Sequence, residues 1–106
     1  MKKFILVLTT VPEERRGQRI AAKLVEEKLA ACVTISSACQ SIYRWEDKVT
    51  KDQEHLLYIK TKSSLYASLE ARLKELHPYD VPEIICLPLE KASKAYLDWL
   101  DKETKG

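Results

Sequence analysis

The sequence contains no asparagine and only two glycines, Gly17 and Gly106, in 106 residues. Two glycines so far apart cannot build a phosphate-cradling loop, so the glycine signatures of nucleotide and dinucleotide binding are excluded. The G-x-S-x-G elbow and the H-E-x-x-H helix are missing too, which removes two further enzyme signatures. Cysteine is scarce and odd in number. Cys32, Cys39 and Cys86 show no C-x-x-C spacing, so neither a disulfide framework nor a zinc knuckle is indicated. Cys32 and Cys86 sit in apolar strand contexts and read as inert core thiols, whereas Cys39 is flanked by Ala38 and Gln40.

Long hydrophobic runs are also lacking. The longest, FILVL at Phe4–Leu8, falls far short of the ~20 apolar residues that span a bilayer. The lysines before it resemble the start of a signal peptide, but the run passes into TTVPEERR with no small-residue cleavage site. A cytoplasmic protein with reduced thiols and no membrane partner is expected. No charge of one sign dominates: 18 basic and 16 acidic residues give a net charge of +2 and leave no nucleic-acid footprint. The length fits one small domain, residues 1–106. Few glycines, no asparagine and many charges together follow the drift of heat-adapted proteins.

What is present orders itself clearly. KFILVLTT is continuously apolar at its centre, as a strand buried on both faces is, and ends at Thr10, placed to cap a following helix. Pro12, Glu13 and Glu14 open that helix, which runs to about Ala30 with Ile20, Ala21, Leu24, Val25 and Leu29 on one stripe. CVTISSACQSIYRW and VTKDQEHLLYIKTK then read as two long strands joined by a tight turn near Glu46 to Lys48. At roughly a dozen residues each they exceed the usual strand length, so the hairpin should project from a small sheet and need cover from another copy of the chain. Ser63 and Ser64 are placed to cap a second helix carrying Leu65, Leu69, Leu73 and Leu76, which must stop by His77 because Pro78 follows. EIICLPLE reads as an edge strand on account of Pro88, and ASKAYLDWLDKETKG as a final helix. The order β-α-β-β-α-β plus a helix is the α+β, ferredoxin-like plan, with two helices on one face of an antiparallel sheet. Its other face still needs burial. RNA-recognition domains share the plan, but their alternating strand aromatics do not occur here.

HPYDVPEI, His77 to Ile84, concentrates two prolines, a histidine, a tyrosine and two carboxylates. Pro78 and Pro82 are accounted for as a helix stop and a strand entry. His77 is either a polar residue closing a helix or a metal ligand, and Glu83 either a solvated strand opener or its partner. His55 reads as a surface residue. Tyr43 and Trp45 share a strand face and either pack on a neighbour or form a ligand platform. Lys60 lies opposite Leu57 and Ile59 by parity, as a snorkelling lysine would.

Taken together, LAACVTI, YRWEDKV, IKTK, HPYDVPEI, LPLE and YLDWL closely resemble the CutA family of divalent-cation tolerance proteins, in order and spacing across essentially the whole chain. The resemblance implies a ferredoxin-like subunit in a homotrimer, with the long hairpins wrapping neighbouring copies. It implies a cleft between subunits lined by Tyr43, Trp45, Lys60, His77, Tyr79 and Glu83. No enzymatic reaction and no obligatory cofactor are implied. Copper-associated members add a cysteine late in the first strand and a second histidine before the HPY motif, where this chain has Thr9 and Leu76. Only His77 and Glu83 remain as candidate metal ligands, so weak binding of copper or zinc is expected. The expected function is non-enzymatic metal tolerance, with the cleft open to a divalent metal, a small anion or a peptide. The alternative is a small-molecule receptor or an enzyme using the same cleft, as in the trimeric nitrogen-regulatory proteins that the assembly resembles.

Overall fold

In the computed structural model, residues 3–106 are described. The elements are β1 (Phe4–Val11), α1 (Glu14–Glu26), β2 (Cys32–Ile35), β3 (Cys39–Trp45), β4 (Lys48–Lys62), α2 (Tyr66–Leu76), β5 (Ile85–Pro88) and α3 (Lys94–Lys102). The fold is α+β. The sheet runs β2-β4-β1-β5, with β3 paired to the outer part of β4, and every pairing is antiparallel. Among the described residues no helix is long and apolar enough to cross a membrane.

Alternation along the strands sets the layers. Ile5, Val7, Thr9 and Val11 on β1 align with Thr61, Ile59, Leu57 and His55 on β4. Val7, Val11, Leu57 and Ile59 are sealed against Ile20 and Leu24 of α1 and Leu69 and Leu73 of α2. The opposite face carries Phe4, Leu6, Leu8, Tyr58, Ile85 and Leu87. These are half-buried or exposed within one chain.

Several boundaries differ from the sequence expectation. Thr10 does not cap α1: the strand continues to Val11, and Glu13 occupies the cap position without a side-chain hydrogen bond. The helix ends at Glu26, not near Ala30, because Lys28 turns into the left-handed region (φ 59°) and the Leu29 N–H bonds the Leu24 carbonyl at 3.0 Å. That is a Schellman-like stop made without glycine. Val25 is exposed, and Gly17 joins Ile20 and Leu24 on the buried stripe. Ser63 and Ser64 form a 3-10 turn with Leu65 instead of capping α2, which begins at Tyr66. Cys86 is exposed on the edge strand and is not a core thiol.

The hairpin is asymmetric. Its second strand is one unbroken element, whereas the first is interrupted at residues 36–38 into β2 and β3. Glu46 and Asp47 close it, both with positive φ (49° and 64°), the two-residue turn geometry that asparagine-glycine ordinarily supplies. At the break, Ser36 is fastened to β4 by its N–H to the Leu56 carbonyl (2.9 Å) and its hydroxyl to the Leu56 N–H (2.8 Å). His55 Nδ1 lies 3.0 Å from the Ser36 carbonyl. His55 is therefore a buried brace, not the surface residue expected.

Candidate functional site

Pro78 sends the chain out of α2 at His77, whose backbone is extended (φ −77°, ψ 138°). The loop then turns past the end of β1. The Tyr79 N–H donates to His77 Nδ1 (3.1 Å), and Nε2 lies 2.8 Å from the Thr10 carbonyl. An Nδ1 that accepts leaves the proton on Nε2, which donates to Thr10. Both ring nitrogens are thus occupied by backbone. The ring is 8% exposed, and burial pulls its pKa below the usual histidine value, against the opposing pull of the Thr10 carbonyl and the Glu54 charge.

The Tyr79 hydroxyl donates to Glu54 Oε2 at 2.8 Å, and the Tyr43 hydroxyl donates to Asp52 Oδ2. Glu54 is only 6% exposed. Burial, followed by the Glu54 contact, raises the Tyr79 pKa. The hydrogen bond to Asp52 raises that of Tyr43. Both phenols therefore stay protonated and act as donors. Asp52 and Glu54 face the same way because they oppose Ser41 and Cys39 in the β3–β4 register. Together the arm and the 77–83 loop enclose an open cleft of about 700 Å³ lined by Thr10, Ser41, Ile42, Tyr43, Trp45, Asp52, Glu54, Pro78, Tyr79, Asp80, Val81 and Glu83.

Four of the six expected cleft residues, Tyr43, Trp45, Tyr79 and Glu83, therefore meet within one chain. His77 stands behind the wall and holds Tyr79 in place. Lys60 is elsewhere: its Nζ donates to Thr34 Oγ1 (2.9 Å) and approaches Cys32 Sγ (3.8 Å). It shares the face of Glu54, but six residues along a strand separate them by roughly 20 Å. Asp52, Glu54 and Asp80 were missed from the sequence. Extending the alternation from Lys60 through Tyr58 and Leu56 would have placed Glu54 and Asp52 on the cleft face.

The donor set does not make a dedicated metal site. Among the described residues no group of three or more His, Cys, Asp and Glu side chains is arranged to hold an ion. His77 would have to give up a backbone hydrogen bond to coordinate one. None of the residues that line the cleft in one chain is basic.

The family profile described as CutA1 divalent ion tolerance protein matches residues 5–103. The chain is 50% identical over 99 residues to the divalent-cation tolerance protein CutA of Thermus thermophilus, covering 93% of this chain and 96% of that one. A solved structure of the Thermus thermophilus protein aligns with a TM-score of 0.92 at 48% identity, over 99% of this chain and 100% of that chain. CutA1 from Oryza sativa aligns with a TM-score of 0.95 at 46% identity, over 97% and 94%. By sequence and fold alike, the chain belongs to the CutA1 divalent ion tolerance family.

Proposed function

We propose that this chain serves divalent-cation tolerance as a non-enzymatic, cytoplasmic homotrimer of ferredoxin-like subunits whose acidic cleft meets divalent ions weakly. The observation that carries the proposal is the sign of the cleft: four carboxylates, Asp52, Glu54, Asp80 and Glu83, with no basic side chain among the lining residues. Such a lining raises the local concentration of cations without fixing their geometry. Copper or zinc then contacts Glu83 and its neighbours, and His77 serves the cleft by positioning Tyr79. The trimer is supported by the apolar sheet face turned away from α1 and α2, where Leu87 is 42% and Ile85 46% exposed in one chain. Three free cysteines agree with a reducing compartment.

Calorimetric titration with zinc and copper tests the proposal. A dissociation constant of roughly 10⁻⁴ M or weaker is expected, in the range of low-affinity carboxylate sites. Glu83→Gln should weaken binding further, and His77→Gln should change it less than Glu83→Gln does in folded protein. Nanomolar affinity that disappears with His77 would defeat it. A second reading, a receptor for a small molecule, is favoured by the cleft's size, which falls within the range of ligand pockets.

A further inference from the structure

We propose that the cleft between the hairpin arm and the 77–83 loop binds a small organic cation through an alkylammonium group. The proposal rests on taking this cleft as the protein's functional site, and it names the class of ligand. Four independent features of the cleft lead to it.

The first is sign. The chain as a whole carries +2, yet the cleft gathers four carboxylates and no basic group, so its polarity is local and opposite to that of the molecule. The second is the balance of donors and acceptors. The hydroxyls of Tyr43 and Tyr79 are already spent on Asp52 and Glu54, which leaves acceptors in excess. Glu54 Oε1 has no hydrogen-bond partner among the described residues, although the residue is 94% removed from solvent by its 6% exposure; nor is that atom among those sealed without a partner. Glu54 lines the cleft. An ammonium group offers three donors and no acceptor, the complement of this lining.

The third feature is aromatic surface. With their hydroxyls committed, Tyr43 and Tyr79 present rings, and Trp45 is 58% exposed at the cleft wall. Such faces attract cations, tryptophan most strongly. The fourth is size. About 700 Å³ is far more than a bare ion fills, and the carboxylates do not converge on a point. An alkyl chain fills the space against Ile42, Pro78 and Val81 while its charged end reaches Glu54 or Glu83.

The probe is 1,4-diaminobutane, titrated calorimetrically into the full chain in its solution assembly. Parallel titrations use Nα-acetyl-lysine methylamide, 1,4-butanediol and succinate. The diamine is expected to bind, and more weakly as salt rises; the diol and the dicarboxylate are expected not to. Glu83→Gln and Trp45→Leu should each weaken the diamine by about 3- to 30-fold, with the thermal melt of each variant showing that it is folded. Tighter binding of the lysine analogue than of the diamine assigns the ammonium to a protein side chain, and the reverse assigns it to a free amine. Silence of both amines against folded protein, equal binding of the diol, or indifference to both substitutions overturns the proposal. If the amines are silent while weak zinc binding sensitive to Glu83→Gln persists, only this inference fails; if zinc binding proves tight and dependent on His77, the tolerance proposal fails instead.

Discussion

At the scale of single residues, His77 shows how a side chain can matter to a site without touching a ligand. Its neutral form accepts from the Tyr79 N–H and donates to Thr10. Protonation would put a second N–H where Tyr79 already donates. The folded protein therefore holds the histidine pKa below its unfolded value, so the unfolded state takes up the proton first. The stability contributed by this group is fully present above about pH 6.5, the unfolded value, and is lost as pH falls through the lower folded value. Urea melts of the wild type against His77→Gln should show the wild-type advantage shrinking below about pH 6.5; an advantage independent of pH would contradict the assignment. The family resemblance grouped Tyr43, Trp45, Tyr79 and Glu83, and these four line one cleft of the chain. The sequence hid the role of His77, because both of its partners are backbone atoms and backbone leaves no sequence signal. It also hid Asp52 and Glu54, polar residues that look solvated until register brings them beneath Tyr43 and Tyr79.

At the scale of elements, α1 seats on the sheet through Gly17. A Cβ there would come within 3.1 Å of Leu57 Cδ2 and 3.2 Å of Val11 Cγ2, so the helix rides close because that carbon is missing. Gly17→Val adds branched bulk at this contact and should destabilise the fold by about 1–3 kcal/mol, read as a lower urea midpoint with an unchanged slope. Element order and type were legible except at residues 36–38, where the one strand expected there breaks into β2 and β3; elsewhere each hydrophobic run keeps one period along its length. Element ends were not legible. Thr10, Ser63 and Ser64 are good capping residues by type, but the β1–β4 ladder extends to Val11 and holds Thr10 in the strand. Likewise Lys28 adopts a conformation usually reserved for glycine, a choice made by the burial of Leu29, Ala30 and Ala31 after it and not by its own propensity.

At the scale of the whole molecule, the decisive feature is an apolar sheet face on which Ile85 and Leu87 stay 46% and 42% exposed within one chain. Leu87, on the edge strand, aligns with Leu6 on that face. In the proposed assembly, light scattering gives three times the 12.2 kDa chain mass, and Leu87→Glu, which places a charge on the seam, yields monomer with a lower melting temperature. A trimer that survives this substitution unchanged would move the interface elsewhere. The composition adds a further expectation, a melting temperature above the usual mesophile band of about 45–65 °C. The arm makes the molecule long, 45 × 25 × 24 Å, and it is built like a spliced beam. One flange, β4, is continuous from the turn into the core, while the other is cut at residues 36–38 and held by Ser36 and His55. The arm therefore joins the core through a single unbroken strand, β4, which also carries Leu57, the side chain a Cβ on Gly17 would meet first.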